Sequence, residues 1–327
     1  MRRIAFILIV LILIGTLTAC STGTEDNADK TNLRVAVALG SINNTWHAQL
    51  RKTIDIAVTH HPDIEWTISN ASDAQDQINM LTIFKDEGYD AIVIMPIDGN
   101  IIVPIAEEIY NAGIPTIILN RRIASNNYTA LLTGDNYGGA VNAARLIGRT
   151  LEGEGNIAIL RSFIGTPIDT ERYEGFSGTI EREFPNITIV AQGDGMFNRD
   201  AGYDEMVNIL AGSPHIDALF SHDDEAAIGA LVAIEEAGRT DIRYVVGFGG
   251  GAMEETFTLF SLDTPPSDTP TFIASMSYFP GMGFDAIEMT VRILRGIPFP
   301  KDTIIASQVM DAQNIEGFLN DEYSHLE

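Results

Sequence analysis

Short runs of β-branched and other apolar residues alternate along this chain with longer segments in which apolar residues recur every three to four positions. The short runs are typical of buried strands, and the longer segments are typical of amphipathic helices. The predicted strands span residues 34–39, 64–69, 91–95, 116–119, 157–160, 188–191, 218–221 and 244–248. The predicted helices span residues 46–60, 73–87, 100–111, 137–151, 170–183, 199–210 and 225–237.

The order of these elements predicts how the sheets are built. Strands that are separated by helices of this length are joined by crossover connections, so they lie parallel and carry helices on both faces. The alternation starts again after Thr133, which indicates two similar halves. The sequence shows no heptad or short tandem repeat, so a solenoid is not expected. The predicted fold class is therefore α/β, with a parallel sheet in each half.

The first twenty residues follow a different pattern. Arg2 and Arg3 precede an apolar run over residues 4–14, and the string LTAC then ends at Cys20. The run is shorter than the roughly 20 residues of a membrane-spanning helix, but it has the length of a signal-peptide core. The string LTAC resembles the bacterial lipobox, which implies a lipoprotein signal peptide over residues 1–20 and lipidation of Cys20. A plain secretory signal with an incidental cysteine is the alternative.

Composition limits the chemistry and the partners. Cys20 is the only cysteine among 327 residues, so its lipidation leaves no thiol for a disulfide or a metal site. Residues 21–32 lack bulky apolar side chains and are expected to form a flexible tether. The formal net charge of −25 repels phosphate backbones and anionic lipids. Nucleic acid is therefore not an expected partner, and membrane contact is expected only through the lipid at Cys20.

Polar and aromatic residues follow several of the predicted strands. Ligands of open parallel sheets bind beyond the carboxyl ends of the strands, so these positions are the candidates for a binding site. Amides, carboxylates, arginines and flat aromatic rings occupy them here. Planar hydrogen-bonding groups suit sugar hydroxyls, and rings suit the apolar C–H face of a pyranose. The pattern favours a carbohydrate ligand.

Six segments carry a resemblance to a known family, namely SINNTW, GIPTIILNR, TGDNYGGA, ERYEGF, HDDEAAIGALVAIEEAG and YVVGFGG. In their order and spacing the chain resembles the type I periplasmic sugar-binding proteins of ABC transporters, of the ribose and galactose class, from Leu33 to about Met310. The resemblance implies two Rossmann-like lobes joined by a three-crossover hinge. It places residues 33–134 and about 279–303 in an N-terminal lobe, and residues 135–278 and about 304–327 in a C-terminal lobe.

The same resemblance implies a set of ligand-binding residues in the cleft between the lobes. Trp46 and Phe197 would stack on the ligand from opposite lobes, and Arg121 would donate to sugar oxygens. The implied ligand-binding residues are Asn44, Trp46, His47, Asn120, Arg121, Asn136, Arg172, Phe197, Asp223 and Tyr278. The chain departs from residues common in the family at Asn120, Thr170, Asp223 and Gly249. The identity of the sugar is therefore not transferred from the family.

Several of these residues also suit a purely structural role. Trp46 suits a core position, His47 suits a position without ligand contact, and Arg172 suits a surface ion pair. Of Asp223 and Asp224, one is expected to cap the helix that follows, and Asp223 is expected to contact the ligand.

Charges in the predicted cleft set an expectation for the ligand itself. Asp223 and Asp224 oppose an anion, and Arg121 and Arg172 oppose a cation. A neutral or weakly charged ligand is therefore expected.

Catalysis and cofactor binding have little support in the sequence. The chain has no G-x-S-x-G or H-E-x-x-H motif. The string GFGGGA over residues 247–252 resembles a dinucleotide fingerprint but does not follow a first strand, and His60 and His61 suit a helix end better than a metal site. The chain is therefore predicted to be no enzyme and to use no cofactor or metal.

The function that these predictions favour is ligand capture outside the cytoplasm. The chain is expected to be an exported, lipid-anchored monomer in the periplasm or on the outer face of the cytoplasmic membrane. It would close its lobes around a monosaccharide-like ligand and deliver that ligand to an ABC permease. The alternative is a receptor that presents the closed form to a sensor kinase or chemoreceptor, because both roles use the same closure.

Overall fold

A computed structural model of the protein describes residues 32–40, 44–249, 271–315 and 317. The predicted signal peptide, Cys20 and residues 21–31 of the predicted tether lie outside the described residues. Across the described ranges, no helix combines the length and the apolar character that a membrane crossing requires.

Strands and helices alternate along most of the described chain, as the hydrophobic pattern predicts. The strands are Leu33–Leu39 (β1), Ile64–Asn70 (β2), Ala91–Ile94 (β3), Thr116–Leu119 (β4), Ala130–Gly134 (β5), Glu154–Arg161 (β6), Asn186–Asp194 (β7), Ala218–Ser221 (β8), Tyr244–Gly249 (β9), Thr271–Ser277 (β10), Asp302–Ile305 (β11) and Val309–Met310 (β12). The helices are Thr45–Thr59 (α1), Ala74–Asp86 (α2), Val103–Asn111 (α3), Asn136–Thr150 (α4), Pro167–Glu183 (α5), Arg199–Gly212 (α6), Asp224–Glu236 (α7) and Met282–Leu294 (α8).

In the part of the chain that the structure describes, the strands form two six-stranded sheets. The order of the first is β11-β5-β4-β3-β1-β2, and the order of the second is β12-β10-β9-β8-β6-β7. The pairs are parallel, apart from β10 and β12, which are antiparallel. We call the part built on the first sheet the first lobe and the part built on the second sheet the second lobe. The predicted α/β fold with two parallel-sheet lobes is confirmed.

The chain passes between the two sheets three times. It leaves the first sheet after β5, returns to it after β10, and leaves it again between β11 and β12. The three passages bring the carboxyl ends of both sheets to one cleft. The residue bounds predicted for the lobes stay a prediction.

Apolar side chains are buried in the strands that form the middle of each sheet. β3, β4 and β8 are buried at every position, as expected for strands that are covered on both faces. β11, by contrast, lies at the edge of the first sheet and alternates between exposed and half-buried positions. Burial on both faces explains why the central strands are near-continuous apolar runs in the sequence.

Acidic and amide side chains cap many of the helices. At five helix starts in the described chain, such a side chain accepts a hydrogen bond from the backbone N–H three residues on, which satisfies a donor that the helix itself cannot. The five capping residues are Asn44, Asp73, Asp135, Asn198 and Asp223. Asn44 and Asp223 lie at strand ends of different sheets, where the cleft opens.

Candidate functional site

A pocket lies in the cleft where the carboxyl ends of the two sheets meet. The space inside it, including the part open to solvent at its mouth, is about 370 Å³. We call it the cleft pocket. Its lining residues are Asn44, Trp46, His47, Asn120, Arg121, Ile168, Arg172, Phe197, Asp223, Phe248, Gly249 and Tyr278.

Nine of the ten residues that the sequence implies as ligand contacts line the cleft pocket. Asn136 does not line it, because its Oδ1 lies behind Arg172 and accepts a hydrogen bond of 3.0 Å from Arg172 Nε. The sequence did not single out Ile168 or Phe248 as site residues. Both are apolar residues of regular elements, and nothing in their type separates them from core residues. Their contact with a ligand, like that of the nine, stays a prediction.

The first lobe contributes one aromatic side chain from the start of α1. Trp46 is 8% exposed, and its Nε1 donates a hydrogen bond of 2.6 Å to the carbonyl of Tyr278. The Trp46 ring also lies 5.9 Å from the Tyr278 ring and 5.5 Å from the His47 ring. Trp46 is therefore both packed and at the pocket wall, so the two roles considered for it are compatible.

His47 lines the cleft pocket next to Trp46. Burial lowers the pKa of His47 to about 3, and the charge of Arg121 acts in the same direction. The imidazole is therefore neutral at physiological pH and adds no charge to the site.

The segment after β4 brings two polar residues into the pocket. Asn120 has a left-handed backbone conformation with φ of 69°, which Asn tolerates better than most residues. Its buried Oδ1 has no hydrogen-bond partner among the described residues, and neither does Arg121 Nε. Arg121 Nη1 donates to the carbonyl groups of Pro96 and Ile97 at 3.2 and 3.0 Å. The side of the cleft that belongs to the first lobe thus has an acceptor and a donor that remain to be satisfied.

Arg172 of α5 is the main polar group on the opposite side. It is 2% exposed, and besides its bond to Asn136 it donates from Nη1 to the carbonyl of His222. Its guanidinium carbon lies 3.9 Å from the centre of the Phe248 ring and 5.0 Å from that of the Tyr278 ring. Burial lowers the pKa of Arg172 to about 10. The alternative of a surface ion pair is wrong, because the side chain is buried.

Asp223 has both of the roles that were expected to be divided between Asp223 and Asp224. Asp223 both lines the pocket and caps α7, since its Oδ1 accepts a hydrogen bond of 2.8 Å from the N–H of Ala226. Both carboxylate oxygens of Asp224 accept from Ser275 Oγ, at 2.8 and 2.9 Å, and Asp224 does not line the pocket. The expectation that the cap and the pocket position fall on different residues is therefore wrong.

Burial dominates the electrostatics of Asp223. It raises the pKa of the carboxyl group to about 7, and the negative charges of Asp224 and Glu225 act in the same direction. The hydrogen bond from Ala226 and the positive charge of Arg172 oppose the rise. The second side of the cleft thus holds a carboxyl group that titrates near neutral pH.

Phe197 forms the aromatic wall on the side of the second lobe, and its backbone is strained. Phe163, Met196 and Phe197 have φ values of 52°, 51° and 50°, in the left-handed region that few residues other than Gly adopt. Asp194 holds this loop pair together, because its carboxylate accepts from the backbone N–H groups of Phe163, Ile164 and Met196 at 2.8–3.1 Å. The Phe163 and Phe197 rings lie 5.5 Å apart. Strain of this kind persists only where the surroundings enforce it.

Polar contacts join the two lobes around the mouth of the pocket. Thr45 Oγ1 donates to Glu225 Oε1 at 2.5 Å, while Glu225 Oε2 accepts from Arg199 Nε and Nη2 at 3.0 and 2.7 Å. Asn44 Nδ2 donates to the carbonyl of Phe197 at 3.3 Å. These contacts cross the cleft, so the structure has the two lobes in a closed arrangement.

A second bridge runs along the other edge of the cleft. Arg122 Nε of the first lobe lies 2.8 Å from Glu171 Oε1 of the second lobe. Glu171 Oε2 accepts a hydrogen bond of 3.0 Å from Asn136 Nδ2. Asn136 in turn binds Arg172, so the bridge supports the back of a pocket residue. Asn136 is therefore a residue that positions Arg172, which its place in the sequence alone does not reveal.

Among the described residues, no three or more His, Cys, Asp or Glu side chains form a group that could hold a metal ion. His61 instead forms a contact of 2.6 Å between its Nε2 and Glu288 Oε1 of α8. The part of GFGGGA beyond Gly249 lies outside the described residues.

Comparison with known proteins identifies relatives over most of the chain. Residues 35–298 match the family model described as periplasmic binding protein domain. The chain is 27% identical over 240 residues to the ribose import binding protein RbsB of Bacillus subtilis. The aligned residues make up 72% of this chain and 77% of that protein. It is 30% identical over 175 residues to the galactofuranose-binding protein YtfQ of Escherichia coli, covering 50% of this chain and 54% of that protein.

Solved structures show the same architecture. The fructose-binding periplasmic domain of a hybrid two-component system is 28% identical, with a TM-score of 0.78 over 90% of this chain and 96% of that chain. An ABC transporter solute-binding protein of Bacillus halodurans with bound myo-inositol is 24% identical, with a TM-score of 0.81 over 89% of this chain and 98% of that chain. The second likeness, at this identity, bears on the fold alone.

Proposed function

The chain belongs to the periplasmic binding protein domain family, and from that premise we propose that it captures a monosaccharide-like ligand between its two lobes and delivers it to an ABC sugar transporter. The protein acts outside the cytoplasm, as a monomer. The named functions of the ribose and galactofuranose relatives support a sugar as the ligand.

The observation that carries this proposal is the composition of the cleft pocket. Two aromatic side chains, Trp46 and Phe197, reach it from different lobes, and a sugar ring offers apolar C–H faces to such rings. Asn120 Oδ1 and Arg121 Nε are buried without partners among the residues that the structure describes, and such groups are costly unless a ligand bonds to them. Hydroxyl groups both donate and accept, so one sugar can satisfy both.

Isothermal titration calorimetry with a panel of pentoses, hexoses, furanosides and polyols tests the proposal. We expect reversible binding of one molecule per chain, with one ligand preferred over its epimers. Absence of binding to every member of the panel contradicts the proposal. A matched assay for loss of the same sugars over time checks that the protein binds without turnover, as its named relatives are binding proteins.

The aromatic walls allow a sharper test of the site. Trp46→Ala or Phe197→Ala is expected to weaken sugar binding by about 1–3 kcal/mol, which raises Kd roughly 5- to 150-fold. This is the scale of one buried aromatic contact. Tyr110→Ala is the control, because Tyr110 is 37% exposed and does not line the cleft pocket. Circular dichroism verifies that each variant folds. Equal affinity of both wall variants and the wild type would exclude this site.

Signal sensing is the second candidate function. The 28% identical fructose-binding structure is the periplasmic domain of a hybrid two-component system, and it matches 90% of this chain. Reconstitution with the permease and ATPase encoded nearest to this gene separates the two roles. Sugar-dependent ATP hydrolysis supports delivery, whereas a neighbouring sensor kinase that responds to the sugar-loaded protein supports sensing.

Lipid anchoring at Cys20 completes the proposal. The string LTAC after an apolar run of signal-peptide length supports it. Radiolabelled palmitate is expected to enter the wild type and not Cys20→Ala. Equal labelling of the two proteins excludes Cys20 as the lipidation site.

A further inference from the structure

The two arginines that line the cleft pocket form no hydrogen bond or ion pair with a carboxylate of the described residues. Among these residues, Arg121 bonds only to backbone carbonyl groups, and Arg172 bonds only to an amide oxygen and a backbone carbonyl. Within the described ranges, no carboxylate forms an ion pair with either guanidinium group. Three other arginines near the cleft differ in this respect, since each contacts a carboxylate at 2.5–2.8 Å: Arg122, Arg161 and Arg199.

The nearby acidic side chains are already engaged elsewhere. Glu171 pairs with Arg122 and accepts from Asn136, and Asp224 accepts from Ser275 Oγ with both oxygens. Asp98, whose charge favours the charged form of Arg121, accepts from the backbone N–H groups of residues 100 and 101 at 2.7 and 3.2 Å. None of the three lines the cleft pocket.

Asp223 is the one acidic residue among those that line the pocket. One of its oxygens is used to cap α7, and burial raises its pKa to about 7, so part of its negative charge is lost at neutral pH. The described lining therefore holds two positive charges against at most one negative charge. A buried excess of charge is unfavourable unless an opposite charge arrives with the ligand.

The two guanidinium groups also lie near the same aromatic ring, and the positive charge of Arg121 acts on Arg172. Their carbon atoms lie 5.4 Å (Arg121) and 5.7 Å (Arg172) from the centre of the Phe197 ring. The Nε–H of Arg121 has no acceptor within the described ranges. A carboxylate beside Phe197 could accept from both, and such charge-assisted bonds are about twice as strong as neutral ones.

From this geometry we infer that the ligand is a sugar acid, a monosaccharide that carries one carboxylate beside Arg121 and Arg172. The inference rests on the proposed function and narrows its ligand class. A phosphate fits less well, because Asp223 repels its charge of about −1.5 to −2 more strongly than the single charge of a carboxylate. The expectation of a neutral or weakly charged ligand counted Asp224 as a pocket charge, and the structure directs that carboxylate to Ser275 instead.

Calorimetry at pH 7 on the full mature chain tests the inference with matched sets. The probes are galactose, glucose and ribose, each with its aldonate and its terminal phosphate, and also galacturonate and glucuronate. At least one acid is expected to bind ten or more times more tightly than its neutral parent and its phosphate. Neutral sugars that equal or exceed their acids would overturn the inference and leave the proposed function in place. A preferred phosphate would also overturn it, and no binding at all would overturn both.

Two substitutions give opposite expected signs for an acid. Arg121→Gln should reduce the ratio of acid affinity to parent affinity at least fivefold, because one positive charge is lost. Asp223→Asn keeps a capping side chain but removes the negative charge, so it should strengthen binding of the acid at pH 8 at least threefold. Arg145→Gln is the control, since Arg145 pairs with Glu183 away from the pocket. Weaker acid binding by Asp223→Asn, with the fold intact by circular dichroism, would contradict the inference.

Discussion

The two sides of the cleft pocket hold their polar groups in opposite ways. On the first-lobe side, Asn120 Oδ1 and Arg121 Nε are buried and have no hydrogen-bond partner in the described part of the chain. On the second-lobe side, Arg172 and Asp223 are bonded to other groups of the protein. The second side is therefore preorganised by the fold, whereas the first side is expected to be completed by a ligand. Preorganisation lowers the entropic cost of binding, and unsatisfied groups make the correct ligand more strongly preferred.

The largest expected effect concerns Arg121 on the incomplete side. Arg121→Ala should weaken binding of the preferred ligand by about 2–5 kcal/mol, because a ligand group that loses a charged donor in a closed pocket stays unpaired. This corresponds to a rise in Kd of about 30- to 5,000-fold, measured by calorimetry. Arg145→Ala, at an exposed ion pair, serves as the control. A Kd within twofold of the wild type would contradict the expectation that a ligand completes the first side.

The next effect concerns Asp223 on the preorganised side. Its pKa is raised to about 7 chiefly by burial, so the folded chain binds this proton more tightly than the unfolded chain. The stability from this group is therefore present at pH 4 and is lost as the pH rises through 7. The free energy of unfolding of the wild type, minus that of Asp223→Asn, should fall by about 2–4 kcal/mol between pH 4 and pH 8. Urea denaturation at both pH values measures it.

The stability of Asp223→Asn is subtracted from that of the wild type because His222 changes stability with pH in the opposite direction. Burial lowers its pKa to about 4, so the stability that depends on neutral His222 is lost as the pH falls from about 6.5 toward 4. This contribution is present in both proteins and cancels in the difference. A difference that stays constant from pH 4 to pH 8 would show that Asp223 is not buried as described.

The sequence predicts the fold well where burial leaves a periodic pattern. β4 and β8 occur at the predicted residues, and the other strands and helices up to β9, except β5, were predicted with ends shifted by a few residues. β10, α8 and the short strands β5, β11 and β12 were not predicted. β11 lies at a sheet edge with an exposed and half-buried alternation, so no apolar run marks it, and β12 has only two residues.

The sequence predicts which residues lie at the candidate site, but it does not predict where their side chains point. Residues at strand ends meet at one cleft by topology, which is why nine of the ten implied residues line the pocket. Whether Asp224 turns toward the pocket or toward Ser275 depends on packing between α7 and β10. The support of Arg172 by Asn136, and that of the aromatic loops by Asp194, likewise depends on contacts between elements distant in the sequence.

Asp194 tests whether the second side depends on preorganisation. Asp194→Ala removes the acceptor of three backbone N–H groups that hold Phe163, Ile164 and Met196. The free energy of unfolding should fall by about 1–3 kcal/mol, and the ligand affinity should fall with it because Phe197 loses its fixed position. Urea denaturation and calorimetry measure the two effects. Asp204→Ala, at an exposed position of α6, should change neither by more than a few tenths of a kcal/mol.

The smallest effect comes from Asn120 and has opposite signs for stability and binding. Asn120→Gly removes a buried acceptor without a partner and suits the φ of 69°, while glycine adds entropy to the unfolded chain. The net gain in the free energy of unfolding should be about 1 kcal/mol, with weaker ligand binding. Asn126→Gly, at an exposed loop position, reports the entropic loss alone and should be slightly less stable than the wild type. An Asn120→Gly protein that is less stable yet binds normally would mean that Asn120 serves the fold, and the contrast between the two sides would fail.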